Sequence, residues 1–238
     1  MAKHDFSKEG INSRKVSSKE QRVPSELKIE GLETIQSRFD EAMKDIKGLS
    51  NIYKRLSSED SIDESTKTSL QELLRSQVLL MESALDLYMH EVSKYGIGKM
   101  FNNHPHWPET CSFRDYKVTL GNLKDVYYGK RNARDMANII SNMLQYSSYM
   151  KFDAIIEQLV MIGVIAQADS IPNDISLFRP VITELSERRN IIAHASDRDF
   201  KRDFLGRKQK IEEAEVVHFY EELIKFVSVV QSYVKKKD

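Results

Sequence analysis

The sequence predicts an all-α fold, a helical bundle with long antiparallel helices, on three observations. Glycine and proline are scarce, 9 and 5 in 238 residues, which leaves few breaks for a turn-rich sheet. Apolar residues recur at spacings of three and four along most of the chain, one stripe per helix. The break between the first two such segments is short, so the helices it joins must run antiparallel.

Residues 1–24 are polar and mixed in charge, and are predicted to form a flexible tail. Its Lys3, Lys8, Arg14, Lys15, Lys19 and Arg22 are either solvated or in contact with a polyanion. Residues 25–238 read as one helical domain. From Pro24 onward Leu32, Ile35, Phe39, Ala42, Ile46, Leu49, Tyr53 and Leu56 form one stripe, which the acidic, serine-rich stretch 57–65 interrupts. A second long helix points Leu70, Leu73, Leu74, Leu80, Met81, Leu85, Tyr88 and Val92 inward and is predicted to stop at Gly96. Residues 97–131 read as an irregular insertion. Its His104-Pro105-His106-Trp107-Pro108 cannot be helical throughout and reads as a packed surface loop. Helices are then predicted at 132–151, 153–169, 175–195 and 211–234. His218 in the last of these lies within an apolar stripe and reads as a core residue.

Composition excludes several classes of protein. Lys plus Arg equals Asp plus Glu, 36 each, so a nucleic-acid site must be a local patch and not a global basic face. The single Cys111 rules out an intramolecular disulfide and a cysteine zinc cage. No apolar run reaches the ~18 residues that span a bilayer, and the first residues lack a signal-peptide core. No glycine-rich phosphate loop, nucleophile elbow or internal repeat is present. These features predict a soluble, cytoplasmic protein with no membrane partner, no metal and no cofactor.

The chemistry concentrates in Arg188-Arg189-Asn190-Ile191-Ile192-Ala193-His194. With 14 Arg, 10 Asn and 6 His in the chain, Arg-Asn followed by His at this one spacing is expected by chance roughly 0.015 times. On a helix, Asn190 and His194 share a face and Arg189 sits about 100° round from Asn190. Arg189 can grip a phosphate through paired N–H donors and stabilise charge growing on phosphorus. His194 can move a proton near neutral pH. Asn190 can orient the imidazole or a phosphate oxygen. RNA brings its own nucleophile, the 2′-hydroxyl, so such a site can cut it without a metal. One Arg and one His make a thin site, and a two-fold homodimer through the motif helix would double it. The plain alternative is that Arg188 and Arg189 serve the helix C-terminus through its dipole and His194 bonds a loop.

The run and its surroundings resemble the HEPN superfamily of helical bundles, defined by Arg, a polar residue that is often Asn, and His after four to six intervening residues. Arg188-Arg189-Asn190, His194, Asp197-Arg198-Asp199, Gly206 and Ile211 are similar to the RiboL-PSP-type subgroup, as is Ala84-Leu85-Asp86-Leu87-Tyr88-Met89-His90-Glu91 in the earlier helix. The resemblance covers about 70–234. It implies a HEPN-like bundle, dimerisation through the motif helices and metal-independent endoribonuclease activity with Arg189, Asn190 and His194 as catalytic residues. It also implies a toxin or anti-phage defence setting, with an antitoxin or defence-system partner. Non-catalytic members exist, so a helical dimerisation, interaction or RNA-binding module is the competing expectation.

Around this centre, Arg188, Asp86 and Asp197 are candidate supporting residues. Asp86 either orients His194 or Arg189, or pairs locally with His90 four residues on. Asp197 either supports the site, turns the following loop or holds an arginine. Arg198, Lys201, Arg202, Arg207 and Lys208, interleaved with Phe200 and Phe204, are candidate RNA contacts or a solvated loop. Tyr127 and Tyr128 with Lys124, Lys130, Arg131 and Arg134 form a second, weaker patch.

Overall fold

The computed structural model describes residues 29–59, 61–115, 117–128, 149–198 and 208–238. Its described residues are helical and contain no strand, only an isolated bridge between Arg198 and Lys208. In chain order the helices are α1 (Leu32–Ser57), α2 (Glu64–Phe101), α3 (Cys111–Arg114), α4 (Leu120–Tyr127), α5 (Phe152–Met161), α6 (Asn173–Ser176), α7 (Arg179–Ala195) and α8 (Glu213–Lys237). The tail expected at 1–24 and most of the helix expected at 132–151 lie outside the described residues. Residues 149–151 are not helical.

Helix α2 is the spine, and α1, α5, α7 and α8 all pack on it. At 38 residues it is about 57 Å long. Asp63 caps its start, accepting the Thr66 N–H at 2.6 Å. Cross-links read out the helix directions. Ser50 bonds Gln77 near the α1–α2 turn and Arg38 bonds Glu91 far from it, so α1 and α2 are antiparallel. Tyr88 bonds Gln231 and Tyr95 bonds Asp238, an equal offset of 143 residues, so α2 and α8 are parallel. Arg75 meets Asp197 beyond the end of α7, whereas Glu82, farther along α2, meets Arg189 within α7, so that pair is antiparallel.

Several boundaries differ from expectation, each for a local reason. Helix α2 passes through Gly96 and ends at Phe101. Glycine there is a close-packing device and not a stop. A Cβ on Gly96 would lie 2.7 Å from Ile162 Cβ and 2.9 Å from Trp107 Cζ3, and one on Gly98 2.9 Å from Ile29 Cγ1. The left-handed residue after the helix is Asn103, with φ 54°. Within the expected insertion, α3 and α4 form, and Trp107 is buried to anchor the histidine–proline loop. The helix expected to reach residue 169 ends at Met161. Gly163, with φ 69°, donates to Val160 O at 2.8 Å while Val164 donates to Leu159 O at 2.8 Å, a Schellman arrangement that only a left-handed residue completes readily. The motif helix is split into α6 and α7 with Pro180 in the first turn of α7, where its missing N–H costs no bond.

The core matches the stripes with four exceptions. Leu80, expected inward, is exposed, and so are Leu177 and Ile224, apolar residues of the segments expected to be helical at 175–195 and 211–234. His218, expected in the core, faces solvent on α8 beside the buried Phe219.

Gly96→Ala tests the packing reading. Helix propensity alone favours alanine by about 1 kcal/mol. The clash with Ile162 Cβ cannot relax by swinging a side-chain end, and overpacking of this kind costs about 1–3 kcal/mol. Urea denaturation should show the variant less stable than wild type; a gain in stability would mean that a Cβ is accommodated beside Ile162 and that helix propensity decides.

Candidate functional site

The end of α7 is shaped by one buried carboxylate. Ser196 and Asp197 both adopt left-handed backbone, φ 50° and 63°, and the Asp197 N–H returns to Ile191 O at 3.0 Å. This turn tucks Asp197 fully inside. Its Oδ1 takes Arg188 Nη1 at 2.5 Å and its Oδ2 takes Arg75 Nε at 2.5 Å. The two guanidiniums then reach the chain returning toward α8. Arg75 Nη2 donates to Gln209 O at 2.6 Å, Arg188 Nη2 to Lys210 O at 3.1 Å, and Arg188 Nη1 to Gln209 Oε1 at 3.0 Å. Gln209 N–H closes the ring by donating to Asp197 O at 2.8 Å. Glu215 lies 3.2 Å from Arg188 Nε and Glu72 3.3 Å from Arg75 Nη1, so the second positive charge is also balanced. This clasp joins α2, α7 and α8 and brings Arg198 opposite Lys208.

Arg188 is therefore a buried clamp residue, sealed away from any ligand in solution. Asp197 both turns the loop and holds two arginines. Of the double arginine, Arg189 is the one that reaches the surface, with its side chain 24% exposed. Its Nε lies 2.8 Å from Glu82 Oε2, and its Nη1 donates to Asn190 Oδ1 at 3.1 Å. Asn190 is half-buried. His194, one turn further along the same face, is exposed and makes no hydrogen bond among the described residues. Arg189, Asn190 and His194 thus form a polar edge running from the α2–α7 interface to solvent.

Glu82 is the residue that sequence reading missed. It is buried to 2% side-chain exposure and its Oε1 has no hydrogen-bond partner. Burial pushes its carboxyl up to about 7; Arg189 pulls against that shift and Asp86, one turn on, adds to it. A signal was present in the four-residue spacing of Glu82, Asp86 and His90, three titratable groups down one face of the helix. Arg75, seven residues before Glu82, was missed in the same way.

Asp86 does not orient Arg189 or His194. It accepts the Tyr149 N–H at 2.7 Å and stands 3.4 Å from His90 Nε2. The His90 ring packs edge-on to Tyr149, centroids 4.6 Å apart. This correction follows from helix geometry: Asp86 lies closer to the chain entering α5 than to α7. Arg198 is exposed, and Lys208 is half-exposed with its ammonium 2.5 Å from Glu72. Lys201, Arg202 and Arg207 lie outside the described residues, as do Phe200, Phe204, Lys130, Arg131 and Arg134. Lys124 and Tyr128 are exposed. Among the described residues no group of three or more His, Cys, Asp or Glu side chains is arranged to hold a metal ion. No helix among them is long and apolar enough to cross a membrane.

Two predictions follow from this geometry. Asp197→Ala leaves two buried guanidiniums facing each other without their shared anion, and loss of one partner from a buried pair costs about 3–5 kcal/mol. Thermal and urea unfolding should show a loss of that size, and a loss below ~1 kcal/mol would mean the clasp is solvated. Glu82 holds its proton more tightly folded than unfolded, so its contribution is present below the ordinary carboxylate range and is lost as pH rises through about 7. The stability of wild type relative to Glu82→Gln should therefore fall by roughly 1–3 kcal/mol between pH 5 and pH 8. A pH-independent difference would show that the carboxyl titrates normally.

Comparison with protein-family models, with curated proteins and with solved structures returned no significant match.

Proposed function

We propose that the protein is a metal-independent endoribonuclease of the HEPN type, with Arg189, Asn190 and His194 as its catalytic residues. The observation that carries this reading is the contrast between adjacent arginines. Arg188 is held inside the clasp by Asp197 and the chain entering α8, whereas Arg189 opens toward solvent beside Asn190 and His194 on the last turns of one helix. The HEPN-like motif noted in the sequence supports the same assignment.

In the reaction, the RNA 2′-oxygen attacks the adjacent phosphorus as its proton passes to a base. The P–O5′ bond breaks and the departing 5′-oxygen takes up a proton. The products are a 2′,3′-cyclic phosphate and a 5′-hydroxyl. His194 moves one of the protons, Arg189 meets the negative charge on the non-bridging oxygens, and Asn190 orients the guanidinium through its Oδ1. A second copy of the chain, docked through α7, would supply the other proton-transfer group. RNA is the substrate, and Arg198 and Lys208 border its path. A toxin or anti-phage role in the cytoplasm, governed by an antitoxin or defence-system partner, fits this activity.

The test is to incubate purified wild type and His194→Ala with total RNA in excess EDTA and analyse the ends. Wild type should leave cyclic phosphate and 5′-hydroxyl ends, with cleavage by His194→Ala reduced by at least ~10²-fold. Equal cleavage by the two proteins removes His194 from the chemistry. Intact RNA with both, in a dimer that still binds RNA, favours the non-catalytic interaction or RNA-binding module.

A further inference from the structure

Glu82 is an expensive residue for stability. A buried carboxylate with one oxygen unpartnered carries a desolvation cost that an apolar side chain of similar volume does not. Val78, Met81, Leu85 and Met89 surround its position along α2 and are fully buried. What the carboxylate does provide is a fixed point for Arg189. It lies 2.8 Å from Nε, at the buried end of the arginine, while Nη1 is tied to Asn190 Oδ1. No hydrogen bond among the described residues engages Nη2. The guanidinium is planar, so holding it at Nε and Nη1 sets the direction of every remaining N–H.

We infer that Glu82 is a positioning residue: it holds Arg189 from the α2 side, so that the free Nη donors face a phosphate bound beside Asn190 and His194. This inference rests on the ribonuclease reading for its substrate, but not for its geometry. The charged groups acting on Glu82 are Arg189 from α7 and Asp86 from its own helix. Asp86 is itself bonded to the Tyr149 N–H and cannot replace Glu82 as partner to Arg189. Glu82 is buried and does not reach the substrate. Its effect passes through the arginine, and misplacing such a group by about 1 Å can cost roughly 10²-fold in rate.

The test compares wild type, Glu82→Gln and Glu82→Met. Glutamine keeps an acceptor oxygen for Arg189, whereas methionine fills the volume with no acceptor; Arg189 is part-exposed and can turn its charge to water, so this variant is expected to fold as stably as wild type. Two readouts are taken at pH 8 on each full-length protein. One is kcat and KM on a cleavable RNA oligonucleotide; the other is the Arg189 Nε–H resonance by NMR. Glu82→Met should lower kcat roughly 10²-fold while melting no lower than wild type, and Glu82→Gln should restore most of the rate. In parallel the Nε–H resonance should move in Glu82→Met and stay near its wild-type position in Glu82→Gln. Cleavage by Glu82→Met within about 3-fold of wild type would overturn the positioning role and leave the ribonuclease reading intact. No cleavage by any of the three would count against the ribonuclease reading instead, and the resonance would then decide the inference. An Nε–H signal unmoved in Glu82→Met overturns it, and one that moves there but not in Glu82→Gln supports it.

Discussion

The arrangement of this bundle turns on Asp197, one fully buried carboxylate shared between Arg75 and Arg188. Each arginine comes from a different helix, and each reaches past the aspartate to a backbone carbonyl on the chain entering α8. Three segments that hydrophobic packing alone could slide against one another are thereby locked in register. Buried ion pairs gain little net stability over apolar contacts, because desolvation offsets attraction. Their value here is directional. The clasp sets the rotation of α7, and that rotation carries Arg189, Asn190 and His194 to the surface.

The two arginines at 188 and 189 illustrate how a 100° step around a helix divides a buried clamp from a part-exposed side chain. Arg188 points into the clasp, where every polar neighbour is supplied by the fold. Arg189 points along the α2–α7 seam, where one buried acid and one amide hold it and the rest of its donors remain available. The left-handed residues Ser196 and Asp197 make the division possible. A helix continuing through them would place the Asp197 carboxylate on the helix flank instead of folding it back under Arg188. A positive φ on a non-glycine residue carries a small cost, lower for aspartate than for most, and the two arginine contacts offset it.

Much of the fold was legible from spacing. The periodic apolar positions placed α1, most of α2, α7 and α8, and the short α1–α2 break implied their antiparallel pairing. Glycine was the main source of error, because it serves two opposite purposes. Gly96 sits inside a helix where the side chains of Ile162 and Trp107 press against it, whereas Gly163 ends a helix by adopting positive φ. Composition cannot separate these roles, since the deciding quantity is the distance to the side chains of Ile162 and Trp107, which packing sets. Leu80, Leu177 and Ile224 mark a similar limit: an apolar residue near the edge of a stripe is buried only if a neighbour covers that edge.

At the candidate site, sequence alone determined which polar side chains stand together at the end of the motif helix. Local spacing put Arg189, Asn190 and His194 on adjoining faces of one helix, because helical geometry depends only on neighbours in the chain. It also brought Asp86 and His90 together for the same reason. Tertiary structure alone decided that Arg188 is buried, that Asp86 serves Tyr149, and that Glu82 stands behind Arg189. Those outcomes depend on how α7 and the chain entering α5 are set against α2. The setting of α7 is fixed by contacts between residues more than a hundred positions apart, such as Arg75 with Asp197, which no local pattern encodes.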